Sequence, residues 1–403
     1  MKLSLQVINY IYLTLAILWG PIQRGFLHID GKGRIMFVLT ILVFLLNILH
    51  DRTFIKKQVL SKPAVFWGLW VIFSIINQQI NGYHEEISFP FYVIHQLFTP
   101  FLIMVLAAKE TMRNPQKTAQ LFTIVFTIFA LLSVTILGGE SERFEERYTG
   151  ELGNIGPLNT MYIVFFGGLL FAQNKIKLKW LIPLLVFAFT AIAMAATRKA
   201  FGAAIVMTLT LILSQLKYSA RNLILSIALA IGFYAGINYA IENTTLGERF
   251  EQGVEVGIER NTTGIEALSV LGDRVFFYIK GWEVFKDNPV NGIGLRNFMH
   301  DNHYQNVLHS EYMVQLAECG IIGSILFLLF YFWIGKNIVR QWKRNYNNSR
   351  PVLWILAGGF GAVLFINLTA WTYDFEQYFA AFGVMIGYIK HIQNHDRNTQ
   401  HRQ

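Results

Sequence analysis

The chain has 403 residues, 54% of them hydrophobic and only 15% charged, with a mean hydropathy of +0.40. A soluble protein carries roughly a quarter charged residues, so a composition this apolar, falling in blocks, excludes a soluble enzyme and specifies a polytopic membrane protein. The net charge of +9 lends no support to a nucleic-acid partner, because it follows membrane topology, and the lone Cys319 excludes a disulfide framework or a thiolate metal cluster.

In chain order, apolar blocks of about 17–23 residues, the length that crosses a hydrocarbon core, fall at 4–20, 34–50, 63–80, 89–108, 118–138, 155–173, 178–196, 200–216, 222–241, 317–335, 352–371 and 376–392. The predicted fold is all-α: an integral membrane helix bundle of about twelve spans with one large outer loop. The first block lacks a small-residue cleavage site and reads as a span, not a signal peptide. With the N-terminus inside, the short inner loops are cationic, from Arg52, Lys56, Lys57 and Lys62 through Lys336, Arg340, Lys343, Arg344 and Arg350, with only Asp51 and Glu110 against them. The outer segments reverse this at Glu85 and Glu86, at Glu140 to Glu151, and at Asp374 and Glu376. The first outer loop, with Arg24, Lys32 and Arg34, is the exception.

The organisation that follows is nine spans over 1–241, a large outer loop over 242–310, three spans over 311–392 and an inner tail over 393–403. Inside the loop, "GDRVFFYIKGWEVFKDNP" predicts a short amphipathic helix. Val275, Tyr278, Ile279, Trp282 and Phe285 share one side, Phe276 and Phe277 fall off it, and Asn288-Pro289 ends it. A glycine-punctuated turn containing Gly292 and Gly294 comes next. A loop this long is more often functional than a mere connector.

Several polar residues break the topology pattern. Arg198 and Lys199 in "ATRKAFG" sit at the outer end of the seventh span; they either snorkel to lipid phosphates or form a fixed cationic site for an anionic substrate. Arg274 opens the amphipathic helix and Arg296 follows the glycine turn. The loop holds ten acids and six Lys or Arg, so no broad basic field exists and each arginine acts by position, as a bidentate fork for phosphate oxygens. His309 begins "LHSEYMVQLAECGIIGS". On a straight helix Gly320 returns to within about 20° of its face and Gly323 to about 40°, which predicts a smooth strip for a neighbouring helix or lipid tail, with His309 roughly 15 Å above the hydrocarbon. Such a histidine is either a polar packing residue or a base. His300 and His303 have one-turn spacing without a third metal ligand, and His95 is an intramembrane polar group that either serves function or bonds between helices.

The pattern His309-Ser310, nine residues, Gly320, two residues, Gly323 resembles the motif of the O-antigen ligase and polymerase superfamily. The Arg-led helix followed by "NPVNGIG" is similar to that family's outer loop. "TRKAFG" resembles its segment after the seventh span, with Thr197 for Ser and Lys199 for Gly. The resemblance implies a glycosyltransferase C-type fold in the bacterial cytoplasmic membrane, both termini inside and the site on the periplasmic face. It implies inverting transfer from a glycan on undecaprenyl diphosphate, without metal or other cofactor, to an acceptor glycan or lipid A–core. Arg198, Arg274 and His309 take the catalytic roles, the arginines on the diphosphate and His309 on the acceptor hydroxyl. Lys199, Arg296 and Ser310 are substrate-binding candidates, and Gly292, Gly294, Gly320 and Gly323 are structural. Membrane lipids are partners, with a chain-length regulator a further candidate. Repeat-unit polymerisation is the favoured role and ligation the second; a lipid-linked oligosaccharide transporter is the non-enzymatic alternative.

Overall fold

The structure, a computed structural model, describes residues 4–23, 34–82, 97–135, 140–141, 144–148, 155–195, 197–215, 231, 274–298, 308–344, 349–373 and 375–400. The predicted span at 222–241 (residue 231 aside), most of the outer loop, and His95, His300 and His303 lie outside these residues. The described helices are α1 (Leu5–Pro21), α2 (Arg34–His50), α3 (Lys62–Asn81), α4 (Thr99–Arg113), α5 (Pro115–Thr135), α6 (Ile155–Thr160), α7 (Tyr162–Ala172), α8 (Leu178–Met194), α9 (Arg198–Gln215), α10 (Arg274–Asp287), α11 (Glu311–Arg344), α12 (Arg350–Asn367) and α13 (Glu376–Gln400). The protein is thus a membrane helix bundle. Five of its helices, those at Leu5–Ile22, Lys62–Asn81, Pro115–Thr135, Glu311–Arg344 and Arg350–Asn367, are long and apolar enough to cross a bilayer. Shorter apolar helices occupy Ile35–His50, Gly156–Ala172 and Leu178–Met194. The acidic segment before α6 adds one element that is not helical, an antiparallel ribbon of β1 (Glu140–Ser141) and β2 (Phe144–Tyr148).

Between membrane helices there is little hydrophobic driving force, so association rests on close packing and interhelical hydrogen bonds. Both are plain here. On α13, Gly383 and Gly387 stand four residues apart and face α4: a Cβ at Gly383 would lie 2.6 Å from the Ala107 Cβ, and one at Gly387 2.7 Å from the Ala108 carbonyl. Aromatic rings fill the space between α3, α11 and α13, where Trp67 meets Trp70, Phe330 and Phe379 at centroid distances of 4.5, 5.6 and 4.6 Å. At the end of the bundle formed by the C-termini of α2 and α4, Asn9 donates to Glu110 at 2.7 Å, Asn47 donates to Asn9 at 2.7 Å, and Lys109 joins Asn47 to Asp51.

The element that positions the site is α11, and it is not straight. Antiparallel contacts step regularly down α3: Asn77 with Glu318, Phe73 with Gly323, Trp70 with Phe327 and Trp67 with Phe330. On that register Gln315 belongs beyond Asn77. Instead its Oε1 accepts from Trp70 Nε1 at 2.7 Å, two turns back into the bundle. The opposite neighbour agrees. Trp342 against Trp354 and Gly335 against Phe360 make Tyr331 level with about Leu364 of α12, yet Tyr312 Oη also donates to the Leu364 carbonyl. Nineteen residues of straight helix would separate Tyr312 from Tyr331 by about 28 Å. The chain therefore reverses at Gly320, whose φ of 60° and ψ of −166° interrupt the helix. Residues 311–319 form a short arm folded back beside residues 321–344.

This corrects the straight-helix expectation. The arm is roughly 13 Å long by its rise per residue, so His309 lies about that far below the turn at Gly320, inside the bundle. Leu308, Ser310 and Glu311 around it are all buried.

Candidate functional site

The reversal is held by a backbone interlock. Breaking the helix at Gly320 frees carbonyls before it and N–H groups after it, and residues 289–294 take up both. Ile293 N donates to Ala317 O at 3.1 Å and Gly294 N to Glu318 O at 2.8 Å. In the other direction Ile321 N donates to Pro289 O at 2.9 Å and Ile322 N to Val290 O at 3.3 Å. The two strands of backbone approach so closely that Gly292 (φ 69°) and Gly320 face each other's neighbours with no room for a side chain. A Cβ on Gly292 would lie 2.5 Å from the Glu318 oxygen, and one on Gly320 2.6 Å from Asn291 N. The third participant is the end of α3. Asn77 Nδ2 donates to the carbonyls of Asn291 and Glu318, and Gln78 Nε2 to Asn297 Oδ1. So Gly320 serves a loop of its own chain, while Gly323 makes room for the Phe73 ring.

Arg296 follows directly. It adopts a left-handed φ of 68°, unusual for a residue with a side chain, and its N–H donates to the buried Glu318 carboxylate at 2.6 Å. Gly294 (φ 94°) opens this turn and packs against Asn297 and Gln78. In the sequence Glu318 is only a polar residue ahead of an apolar run. Its role depends on the reversal, which no local pattern shows.

At the base of the arm, His309 is half-buried between rings from two elements. Phe277 of α10 stands edge-on at 6.1 Å and Trp371, from the turn after α12, lies at 6.3 Å and 31°. Phe277 falls off the predicted apolar stripe but is buried, while Ile279 and Trp282 on the stripe are exposed. The helix thus has two apolar faces. Gly281 admits Leu308 and Met313, and Tyr278 Oη donates to the Leu368 carbonyl. Arg274, the first residue of α10, stands one turn before Phe277, which sets it on the end of the helix that serves His309.

Arg198 and Lys199 open α9. That helix runs antiparallel to α12, with Thr210 at Gly358, Val206 at Gly361 and Gly202 at Phe365. Continuing this register by one turn sets Arg198 level with residue 369, in the turn that carries Trp371. The same turn is tied to the arm: Ser310 Oγ donates to Asn367 O at 3.2 Å, and Glu311 N donates to Ala370 O at 3.1 Å. The structure thus brings Arg198, Lys199, the start of α10, His309 and Ser310 to one level of the bundle. Arg296 and the glycine interlock lie further along the arm, toward its turn. Ser310 itself is buried with its hydroxyl committed to the Asn367 carbonyl.

Two residues of this assembly were absent from the sequence reading. Glu311 adjoins the motif but looks like any acidic residue in a first helical turn. Trp371 lies 62 positions from His309 and no spacing rule connects them. The family model described as O-antigen ligase matches residues 183–328. That stretch runs from α8 through Arg198, α10, the interlock and His309, and ends before the turn that contains Trp371. A comparison with curated proteins finds no match for the chain.

Proposed function

We propose that this chain, which matches the family model described as O-antigen ligase over residues 183–328, transfers a glycan from undecaprenyl diphosphate to an acceptor hydroxyl at the outer face of the bacterial cytoplasmic membrane. The observation that carries this is the convergence of three elements on one level. The start of α9, which Arg198 opens, the start of α10, which Arg274 opens, and the base of the arm with the half-buried His309 lie at one level of a bundle whose helices expose apolar side chains. A lipid-borne substrate reaches such a site with its chains in the bilayer and its diphosphate at the level of the arginines.

The chemistry follows from these groups. The acceptor oxygen attacks the anomeric carbon from the face opposite the diphosphate, so the new C–O bond forms as the sugar–phosphate bond breaks and the configuration inverts. Arg198 and Arg274 neutralise the charge that grows on the departing diphosphate, which stays on its lipid. Lys199 and Arg296 are secondary contacts along its path. His309 Nδ1 or Nε2 receives the acceptor proton, a role suited to an imidazole. Loss of a positioned acid–base group costs about 10²–10⁴-fold. With purified full-length protein and an undecaprenyl-diphosphate glycan, His309→Ala and Arg274→Ala are each expected to lose transfer on that scale. Transfer persisting in both variants would remove this site assignment.

Polymerisation of repeat units is the role we favour, within a bundle of about twelve spans whose termini are both cytoplasmic. The description of the matched family favours the second reading, ligation to lipid A–core. Glycan profiles of a deletion strain separate the two. Loss of a polymerase leaves single repeats on core, and loss of a ligase leaves finished chains on the carrier.

A further inference from the structure

Glu311 is fully buried, two residues after His309, and its carboxylate faces the turn after α12. Its Oε2 accepts from the backbone N–H of Thr372, from that of Tyr373 at 3.1 Å and from Thr372 Oγ1 at 3.3 Å. Its Oε1 accepts from Gln315 Nε2 at 2.8 Å, and Gln315 is held in turn by Trp70. With Glu311 N bonded to Ala370 O, one residue grips the turn on both sides of Trp371. A buried carboxylate is costly unless its lone pairs are met, and backbone donors to a carboxylate are among the stronger hydrogen bonds. The turn, for its part, has no helical partners for the N–H groups of Thr372 and Tyr373. The carboxylate therefore fixes the backbone beside Trp371, whose ring stands 6.3 Å, centroid to centroid, from the His309 imidazole.

We propose that Glu311 is a positioning residue for His309, acting through Trp371. The carboxylate clamps residues 370–373, and the clamped indole restricts the imidazole to the orientation in which it meets the acceptor hydroxyl. This rests on the reading of His309 as the group that takes the acceptor proton. It assigns to Glu311 and Trp371 a part in the rate of transfer, separate from donor binding by the arginines.

The test uses full-length protein in nanodiscs and two readouts. One is transfer kinetics with an undecaprenyl-diphosphate glycan. The other is carbethoxylation of His309 by diethyl pyrocarbonate, followed by peptide mass spectrometry, which reports the freedom of the imidazole whether or not the protein turns over. Glu311→Ala is expected to lower kcat by about 10- to 100-fold, the effect of a misplacement of about 1 Å, to leave KM for the donor unchanged, and to speed carbethoxylation of His309. Trp371→Ala should reproduce both effects with Glu311 intact. Glu311→Gln, which keeps an oxygen for the Thr372 and Tyr373 N–H groups, should restore most of kcat. Unchanged carbethoxylation in both Glu311→Ala and Trp371→Ala overturns the proposal, as does a rise in KM equal to the fall in kcat. If carbethoxylation rises while transfer survives in His309→Ala, the clamp stands and the catalytic reading of His309 falls.

Discussion

Gly320→Ala isolates the feature on which the whole site depends. The φ of 60° and ψ of −166° at this position belong to a region that essentially only glycine occupies, and holding an L-residue there costs on the order of 1–3 kcal/mol. Space is a second obstacle. The new methyl would sit 2.5 Å from the Val290 carbonyl carbon and 2.6 Å from Asn291 N, both backbone atoms that cannot swing aside. Relief requires residues 289–294 to withdraw, which forfeits hydrogen bonds between Ile293 and Ala317, Gly294 and Glu318, Ile321 and Pro289, and Ile322 and Val290. Each such bond is worth about 0.5–1.5 kcal/mol net, so losing even two of them with the strain brings the expected cost to roughly 2–6 kcal/mol. Gly361→Ala is the internal control, because it is helical and its added methyl meets Val206 Cγ1 at an ordinary 3.6 Å. Unfolding of the purified variants in detergent, followed by tryptophan fluorescence, measures both. Equal stability of Gly320→Ala and Gly361→Ala would refute the reversal and the interlock together.

The reversal can also be measured directly. With Cys319 replaced by serine, spin labels at Met313 and Phe332 should lie at less than half the ~28 Å that 19 residues of straight helix would span, and a dipolar distance near that full length would rule it out. Gly387→Leu should separate α13 from α4, since even a Cβ there meets the Ala108 carbonyl at 2.7 Å; overpacking of this kind costs typically 1–3 kcal/mol or more, read as a lowered thermal midpoint, and an unchanged midpoint would contradict the packing. At the opposite end of the bundle, partial burial pushes the Asp51 carboxyl up, but hydrogen bonds from Lys109 and Thr53 and the Lys109 charge outweigh it and hold the group below the ordinary carboxylate range. A depressed folded-state value stabilises above the unfolded carboxylate value of about 3.9, and that stability is lost as pH falls through the folded value. Asp51→Asn should therefore cost about 1 kcal/mol or less at neutral pH, as exposed pairs do, and flatten the acid limb of a stability–pH profile; an unchanged acid limb would count against the pair.

What the sequence revealed and what it concealed divide along a physical line. Span positions were legible because they follow from local apolar runs: α1, α2, α3, α8 and α12 fall where the blocks predict. Arg198 and Arg274 stand out because each falls on the predicted outer side, against a charge rule that also operates locally. The reversal at Gly320 was not legible, since "LAECGIIGS" has helical propensity on both sides and glycine is tolerated within membrane helices. Only the pairing of Gly292 with Gly320, 28 positions apart, turns a permissive glycine into a required one. Glu311 and Trp371 were hidden for the same reason, because their meaning arises from the turn after α12 meeting an arm that enters the bundle.

That geometry changes what kind of place the site is. A histidine standing above the bilayer would meet water from every side and would have to compete with it for an activated sugar. A histidine at the inner end of a folded-back arm, between Phe277 and Trp371 and beside a fully occupied carboxylate, meets far less water. In the proposed reaction, exclusion of water would strengthen the attraction between arginines and diphosphate and suppress hydrolysis of the donor. A lipid-linked substrate gains most from such a position, because its chains already lie in the bilayer that surrounds the bundle. In the proposed reaction the polar part of that substrate passes the left-handed Arg296, whose N–H is held by the buried Glu318.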